Sequence, residues 1–332
     1  MANPGQPALI GLDWGTSSLR GHLVAADGSV INTIRQPWGI QHLPSGGYAE
    51  AYRGVTGTWL SRRPNLPVLA SGMVGSRQGW REAAYVDCPA DAASLASGLL
   101  RFDTGTGPLA IVPGLMQRGR LPEVMRGEET QVIGALAADP ALAARALFIL
   151  PGTHSKWAVV RAGRIERFQT FMTGELFALL RDHSLLGRPA REAAPTGAAA
   201  APHTFDAAAF RQGVTVAHDS GPSGIAGRLF TTRSLWLAGD LPAAASLDYL
   251  SGLLVGEEIR SGLAARDGEP LPPLVLSGEA ALCDRYREAL GIFGVTDVRV
   301  LGDTAAAGLW TIAAAAGLVS AAATSPGSFA DA

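Results

Sequence analysis

The sequence predicts an α/β protein of two similar domains, and three observations carry that prediction. The first is a strand–turn–strand unit at residues 9–24. An apolar strand ends in Asp13, a hydroxyl-rich turn follows at Gly15-Thr16-Ser17-Ser18, and a second apolar strand leaves through Leu19, Gly21, Leu23 and Val24. The second observation is that this unit recurs. Residues 146–150 form an apolar strand, Gly152-Thr153-His154-Ser155 takes the place of the turn at an offset of 137 residues, and residues 156–160 continue as a strand. That period is far beyond those of solenoid repeats, so it reads as a duplication. The third is the alternation of helix-patterned and strand-patterned segments after each unit, which marks the α/β class.

The elements follow in order. Residues 1–7 form a loose tail with two prolines, and residues 8–35 a β-meander turning at Asp27-Gly28-Ser29. Residues 38–52 are Gly-rich and read as irregular. Residues 68–70 form a buried strand ending in Ser71-Gly72-Met73, residues 90–100 a helix, and residues 109–112 a strand ending at Pro113-Gly114. Thr130 and the residues to 138 extend a helix that stops near Asp139-Pro140. The second half begins with a meander over 146–172 that turns at Ala162-Gly163. Helices are expected over 174–183, 205–213, 246–261, 284–290 and 304–316, strands over 272–277 and 298–301, and an Ala/Pro-rich surface loop over 190–202. The boundaries expected are 1–140 for the first domain, 141–322 for the second, whose last helix packs back on the first, and 323–332 for a flexible tail.

Composition bounds the function. A chain of 332 residues with 47% hydrophobic content can bury two substantial cores. The formal net charge of −2 and the lack of a Lys/Arg cluster argue against a nucleic-acid partner. Cys88 and Cys283 read as two reduced thiols. No apolar run approaches the roughly 20 residues of a membrane helix. Residues 1–7 lack the basic segment and apolar core of a signal peptide. A cytoplasmic protein with no membrane partner is expected. Oligomeric state is left open, a homo-oligomer included.

The two turns suit phosphate. Gly15 lets backbone approach a ligand, and the N–H groups and hydroxyls of Thr16, Ser17, Ser18, Thr153, His154 and Ser155 can surround phosphate oxygens. An ordinary hairpin with a Ser/Thr turn is the plainer alternative for either turn alone. Asp13 at a strand end can hold Mg²⁺, mostly through water. Leu150 occupies the corresponding place in the second unit, so metal handling is expected from the first domain. Arg20 and Lys156 can add positive charge or point to solvent. Competing signals fail on context. No G-x-x-x-x-G-K-[ST] segment exists. The dinucleotide-like run at Gly105-Thr106-Gly107-Pro108-Leu109-Ala110 is rejected because no strand is expected to lead into it and Pro108 lies inside the turn.

Taken together, these segments resemble the actin-like ATPase superfamily of sugar kinases, hexokinases and Hsp70 proteins, whose motifs occur in a fixed order. Phosphate 1 matches residues 13–20, connect 1 matches 125–131, phosphate 2 matches 151–157, the adenosine segment matches 274–279, and connect 2 matches 301–309. Within that superfamily SGMVGS (71–76), VPGL (112–115), MRGEETQ (125–131), PGTHSKW (151–157), MTGEL (172–176), SGLLVGEE (251–258) and GDTAAAGL (302–309) are similar to the 2-dehydro-3-deoxygalactonokinase family, over residues 8–315. The resemblance implies two actin-like (ribonuclease H-like) domains, with mixed β-sheets, flanking helices and an interdomain nucleotide cleft. It implies ATP and Mg²⁺ as cofactors and a small-molecule sugar acid, 2-dehydro-3-deoxy-D-galactonate, phosphorylated on O6. Other readings kept open are a kinase for another sugar acid, an actin-like phosphohydrolase, and a nucleotide or sugar sensor without turnover.

The resemblance also distributes roles. Glu129, two places after Gly127, is expected to accept the O6 proton, with Asp13 as the other candidate. Stabilisation of a helix N-terminus explains Glu128 and Glu129 equally well at this level. Cofactor binding falls to Gly15, Thr16, Ser17, Ser18, Arg20, Gly152, Thr153, His154, Ser155 and Lys156, with Ser277, Gly278 and Glu279 near adenine and Asp303 near metal. Asp303 can instead cap the helix that follows. The acceptor carboxylate needs an Arg, for which Arg126 leads and Arg77 follows. Met73, Gly75, Ser76, Glu128, Thr173, Gly174 and Glu175 are the remaining candidates for contacts with the acceptor.

Overall fold

The structure is a computed structural model that describes residues 5–193, 204–265 and 270–320. The expected tail over 323–332, and all of the Ala/Pro-rich stretch beyond residue 193, lie outside these residues.

The first half opens with β1 (Pro7–Trp14), β2 (Leu19–Ala25) and β3 (Val30–Gln36). It continues with α1 (Gly47–Arg62), β4 (Val68–Ser71), β5 (Tyr85–Asp87), α2 (Ala92–Ser97) and β6 (Leu100–Asp103). β7 (Pro108–Ile111), β8 (Gly114–Gln117), β9 (Glu123–Met125) and α3 (Glu128–Ala138) follow. The second half has β10 (Arg145–Leu150), β11 (Ser155–Arg161), β12 (Arg164–Phe171), α4 (Thr173–His183) and α5 (Arg188–Ala193). It ends with α6 (Ala207–Asp219), α7 (Thr231–Ala238), α8 (Ser246–Ala264), β13 (Leu274–Ser277), α9 (Ala280–Ile292), β14 (Val298–Leu301) and α10 (Ala305–Ala315).

Three sheets result: six strands in the order β3-β2-β1-β4-β7-β6, five in the order β12-β11-β10-β13-β14, and three in the order β5-β8-β9. The first is mixed, with β1 antiparallel to β2 and parallel to β4. The chain forms two compact units, one of Met1–Phe148, Ala158–Phe168 and Asp303–Ala332, the other of Ile149–Trp157 and Gln169–Gly302.

In the first unit the two-residue period of β1 sorts its side chains onto opposite faces. Ile10, Leu12 and Trp14 join a core with Tyr52, Val55 and Trp59 of α1. Gly11 lies on the other face, where an added Cβ would come 3.0 Å from Leu309 of α10. Asp13 shares that α10-facing side by alternation. Helices α3 and α10 cross at glycine: a Cβ on Gly134 would lie 2.0 Å from the Thr304 carbonyl oxygen, and one on Gly308 1.9 Å from that of Thr130. Backbone-to-backbone approach of this kind leaves room for no side chain.

In the second unit α8 runs through the interior, buried along most of its length, and lies against α6. Its core joins Tyr249, Leu250 and Leu253 to Ala209 and Ala217.

Several expectations are corrected. Residues 47–52 belong to α1 rather than an irregular segment. The helix expected over 90–100 spans only Ala92–Ser97, capped by the Asp91 side chain, and Leu100 already starts β6. A strand does lead into the Gly105 turn, because β6 and β7 form an antiparallel hairpin around it. The turn is followed by a strand and not a helix, so it offers no helix N-terminus to a pyrophosphate. Residues 190–193 are helical, in α5, and not loop.

Candidate active site

In the first unit, cross-strand register creates the first charged cluster. Asp13 pairs with Arg20 across β1 and β2 and with Ser71 across β1 and β4. The Arg20 guanidinium lies 3.1 Å from the Asp13 carboxylate and 2.5 Å from that of Asp303. Asp303 also accepts the Ala305 N–H at 3.0 Å and so helps to start α10. Burial pushes the Asp13 carboxyl up to about 6. Arg20 pulls it down, while Asp303 and Glu128 push it further up. In the turn itself, Gly15 donates to the Ser18 carbonyl at 2.9 Å, and the carbonyls of Gly15 and Thr16 accept from Ile40 and Gln41 at 3.1 Å. Those bonds hold the turn, and Ser17 and Ser18 remain exposed on it.

Two glycines bring connect 1 to this place. Gly72, at φ +94°, follows β4, and a Cβ there would lie 2.7 Å from the Trp14 carbonyl oxygen. Gly127, at φ +110°, precedes α3, and its Cβ would lie 3.2 Å from the Gly72 Cα. Side chains rarely adopt such φ values. The segment Met73–Gly75 forms one 3₁₀ turn beside them.

Arg126 is the notable residue here. Its side chain is 8% exposed; one amino group donates to the Ala83 carbonyl at 2.8 Å, and the guanidinium stacks 4.5 Å above the Tyr85 ring. Its Nε and Nη1 find no hydrogen-bond partner among the described residues, and neither do the buried hydroxyls of Ser71 and Ser76. A Cβ on Gly75 would come 3.0 Å from Nη1, so glycine leaves that edge of the guanidinium uncovered. Buried donors are normally satisfied, so the two open guanidinium nitrogens are suited to take a ligand. Arg77, the second candidate for a carboxylate, is exposed.

Glu128 accepts the Arg126 N–H at 3.0 Å. Glu129 is fully buried; its carboxylate accepts the Gly127 N–H at 2.9 and 2.7 Å and the Thr130 hydroxyl at 3.2 Å. Burial, reinforced by the neighbouring Glu128 charge, pushes its pKa up to about 8, against the lowering effect of backbone N–H groups and Arg126.

In the second unit, the turn 152–155 lies against the start of α4. A Cβ on Gly174 would come 2.5 Å from the Gly152 carbonyl oxygen, and Glu175 donates its N–H to the Thr153 carbonyl at 3.0 Å. His154 and Glu175 pair through their side chains. Lys156 is buried, with its ammonium 3.5 Å from the His154 carbonyl oxygen. The Ser155 hydroxyl is turned inward, donating to Glu258 at 2.6 Å, and the Thr173 hydroxyl donates to Glu258 as well. The Ser155 hydroxyl is thereby occupied inside the second unit. Ser277 is buried at the end of β13, and a Cβ on Gly278 would lie 3.5 Å from the Pro151 carbonyl oxygen. Glu279 caps α9, accepting from Ala281 and Leu282 at 3.1 and 2.9 Å.

A family model described as 2-keto-3-deoxy-galactonokinase matches residues 13–312. The chain belongs to that family. A relative from Rhizobium meliloti (strain 1021), which bears the name "Probable 2-dehydro-3-deoxygalactonokinase", is 36% identical over 297 residues, 89% of this chain and 92% of the relative. The 2-dehydro-3-deoxygalactonokinase of Escherichia coli (strain K12) is 36% identical over 308 residues, 92% of this chain and 97% of its own. A crystal structure from Sinorhizobium meliloti, titled as a protein of the same kind, superposes with a TM-score of 0.80 at 35% identity and covers 92% of this chain and 98% of that one. The actin-like class expected from the order of the motifs is the fold of the family, and the family is one of kinases.

The sequence reading missed Ser71 and Glu258. Ser71 stood next to the loop that was singled out, at the strand end that pairs with Asp13. Glu258 closed the SGLLVGEE segment, but nothing local separates it from Glu257, which pairs with Arg260 at 2.7 Å.

Proposed function

We propose that this protein transfers the γ-phosphoryl group of ATP to O6 of 2-dehydro-3-deoxy-D-galactonate. The observation that carries the reading is Arg126, a buried guanidinium with unfilled donors at Nε and Nη1 and with Ser71 and Ser76 also unsatisfied. An acid acceptor supplies the anion that such a group lacks, and paired N–H···O bonds to a carboxylate are what a guanidinium makes best. A neutral sugar would offer these donors no charged acceptor.

Asp13 is the residue we assign to Mg²⁺. Its carboxylate is desolvated and lies near Asp303 and Glu128, with Arg20 as the offsetting cation, so the local excess of negative charge favours a divalent ion. Among the described residues no three His, Cys, Asp or Glu side chains are arranged to hold a metal. Bound there with nucleotide, Mg²⁺ would neutralise phosphate charge. The turns 15–18 and 152–155 supply backbone N–H groups and exposed hydroxyls suited to phosphate oxygens.

Glu129 is our candidate for the proton acceptor. A pKa of about 8 brings its basicity near that of an efficient general base at neutral pH, and its ionised form would be stabilised by the Gly127 N–H. Asp13, near 6, is the other carboxylate in reach of this role.

The test is ADP release with a panel of 2-keto-3-deoxy sugar acids. ATP consumption that requires the galactonate derivative supports the proposal. Preference for another epimer moves the assignment to a different sugar acid, and phosphate release without any acceptor overturns the kinase reading in favour of a hydrolase.

A further inference from the structure

Glu258 is 2% exposed, and each of its oxygens accepts two hydrogen bonds. One takes the Ser155 hydroxyl at 2.6 Å and the Trp157 indole N–H at 2.8 Å. The other takes the Tyr286 hydroxyl at 2.6 Å and the Thr173 hydroxyl. A carboxylate has about four lone-pair sites, and here all are filled by neutral donors. The donors come from β11, α4 and α9, and the acceptor from α8, so one side chain joins four elements of the second unit.

What distinguishes this node from ordinary core polarity is where its donors sit in the chain. Ser155 is the last residue of the turn 152–155, and Thr173 is the first residue of α4. Those two segments already touch, through Gly174 against Gly152 and through the Glu175 N–H to the Thr153 carbonyl. Glu258 binds both from beneath. Replacing a buried carboxylate by a greasy residue of like volume often costs little stability, so what Glu258 adds is the fixed geometry of its four donors rather than stability alone.

We propose that Glu258 is a positioning residue that sets the turn 152–155 and the start of α4 as one rigid piece. It thereby couples the fit of nucleotide to the fit of the acceptor. This rests on the reading of 152–155 as a phosphate turn and of Thr173–Glu175 as acceptor-facing. The carboxylate touches neither ligand; it acts through Ser155 and Thr173.

The test compares E258Q and Y286F with the wild type in the full chain. Gln keeps the shape of the side chain but removes the charge and sets an NH2 donor where one oxygen accepts two hydrogen bonds, and Phe removes one donor remote from both ligand segments. Weakening charge-assisted bonds at the node should raise KM for ATP and KM for the acceptor together, each by about tenfold in E258Q and less in Y286F, with kcat changed much less. The combined variant should show less than the product of the two single effects, since both act on one network. A lower melting temperature with both KM values unchanged, or a rise in only one of them, overturns the proposal. Amide exchange over 152–155 in the ligand-free protein is the second readout and should quicken in E258Q. If the wild type consumes no ATP with any acid acceptor, the kinase reading fails by itself. Unchanged exchange over 152–155 would then overturn the positioning role independently.

Discussion

Arg20 and Asp303 meet at 2.5 Å although they stand 283 positions apart in the chain. The contact ties β2 to the residue that starts α10 and leaves Asp13 as the carboxylate with only a share of a guanidinium.

That sharing gives Asp13 a testable signature. Its carboxyl titrates near 6 in the fold against 3.8 when free. A raised carboxyl contributes stability while protonated and loses it as pH rises from about 4 through about 6. Asp13→Asn should therefore be more stable than wild type at pH 7, by at most about 3 kcal/mol, and no more stable below pH 4. Urea unfolding at the two pH values measures this. The same variant should lose the stabilisation by Mg²⁺ with nucleotide that wild type shows.

Glu129→Gln should lower kcat by about 10²- to 10⁴-fold. The wild-type rate should climb with pH and level off near 8, where Glu129 loses its proton. A profile that levels near 6 instead would hand the role to Asp13. Because the Glu129 pKa is raised, stability falls between about 4.5 and 8 in wild type, so Glu129→Gln should melt higher than wild type at pH 8.5 and equally below pH 4.5. Thermal melts across that range check the sign.

Arg126→Met should raise KM for the sugar acid by about 10²-fold, the effect of losing a charged hydrogen-bonding partner, and leave KM for ATP within about twofold. Small carboxylates alone should raise the melting temperature of wild type and not of the variant, since they fill donors that are otherwise empty.

Gly308→Ala should be among the most damaging substitutions of α10. The added methyl would stand 1.9 Å from the Thr130 carbonyl oxygen, and that neighbour is backbone. A loss above about 3 kcal/mol is expected, from overpacking that no rotamer relieves. Exposed Gly291, with nothing within 4 Å of its Cβ position, is the control.

The parts of this protein legible in sequence are those where the signal is local. Both hydroxyl turns stand between apolar strands, and β1 announces its buried faces by composition. Residues 47–52 were not legible as helix because paired glycines open α1 and Gly54 and Gly57 interrupt it, although Ala51, Tyr52, Val55, Thr56 and Trp59 fall on one buried face. The strands β5, β8 and β9 are three or four residues long, too short for a period to show. At the site, Asp13 and Arg126 could be picked out by their motifs. The inward turn of Ser155 could not, since its partner lies 103 residues away. Nor could the capping role that occupies Glu279, which depends on where α9 begins.

The stacking of Arg126 on Tyr85 carries a consequence for how such a protein can diverge. Under the acceptor role proposed for Arg126, a variant that takes an uncharged sugar cannot be reached by reshaping the loop at Gly72–Ser76 alone, because Nε and Nη1 would stay walled in with their donors empty. A change of acceptor class here should therefore need a paired substitution, one at Arg126 and one in the loop.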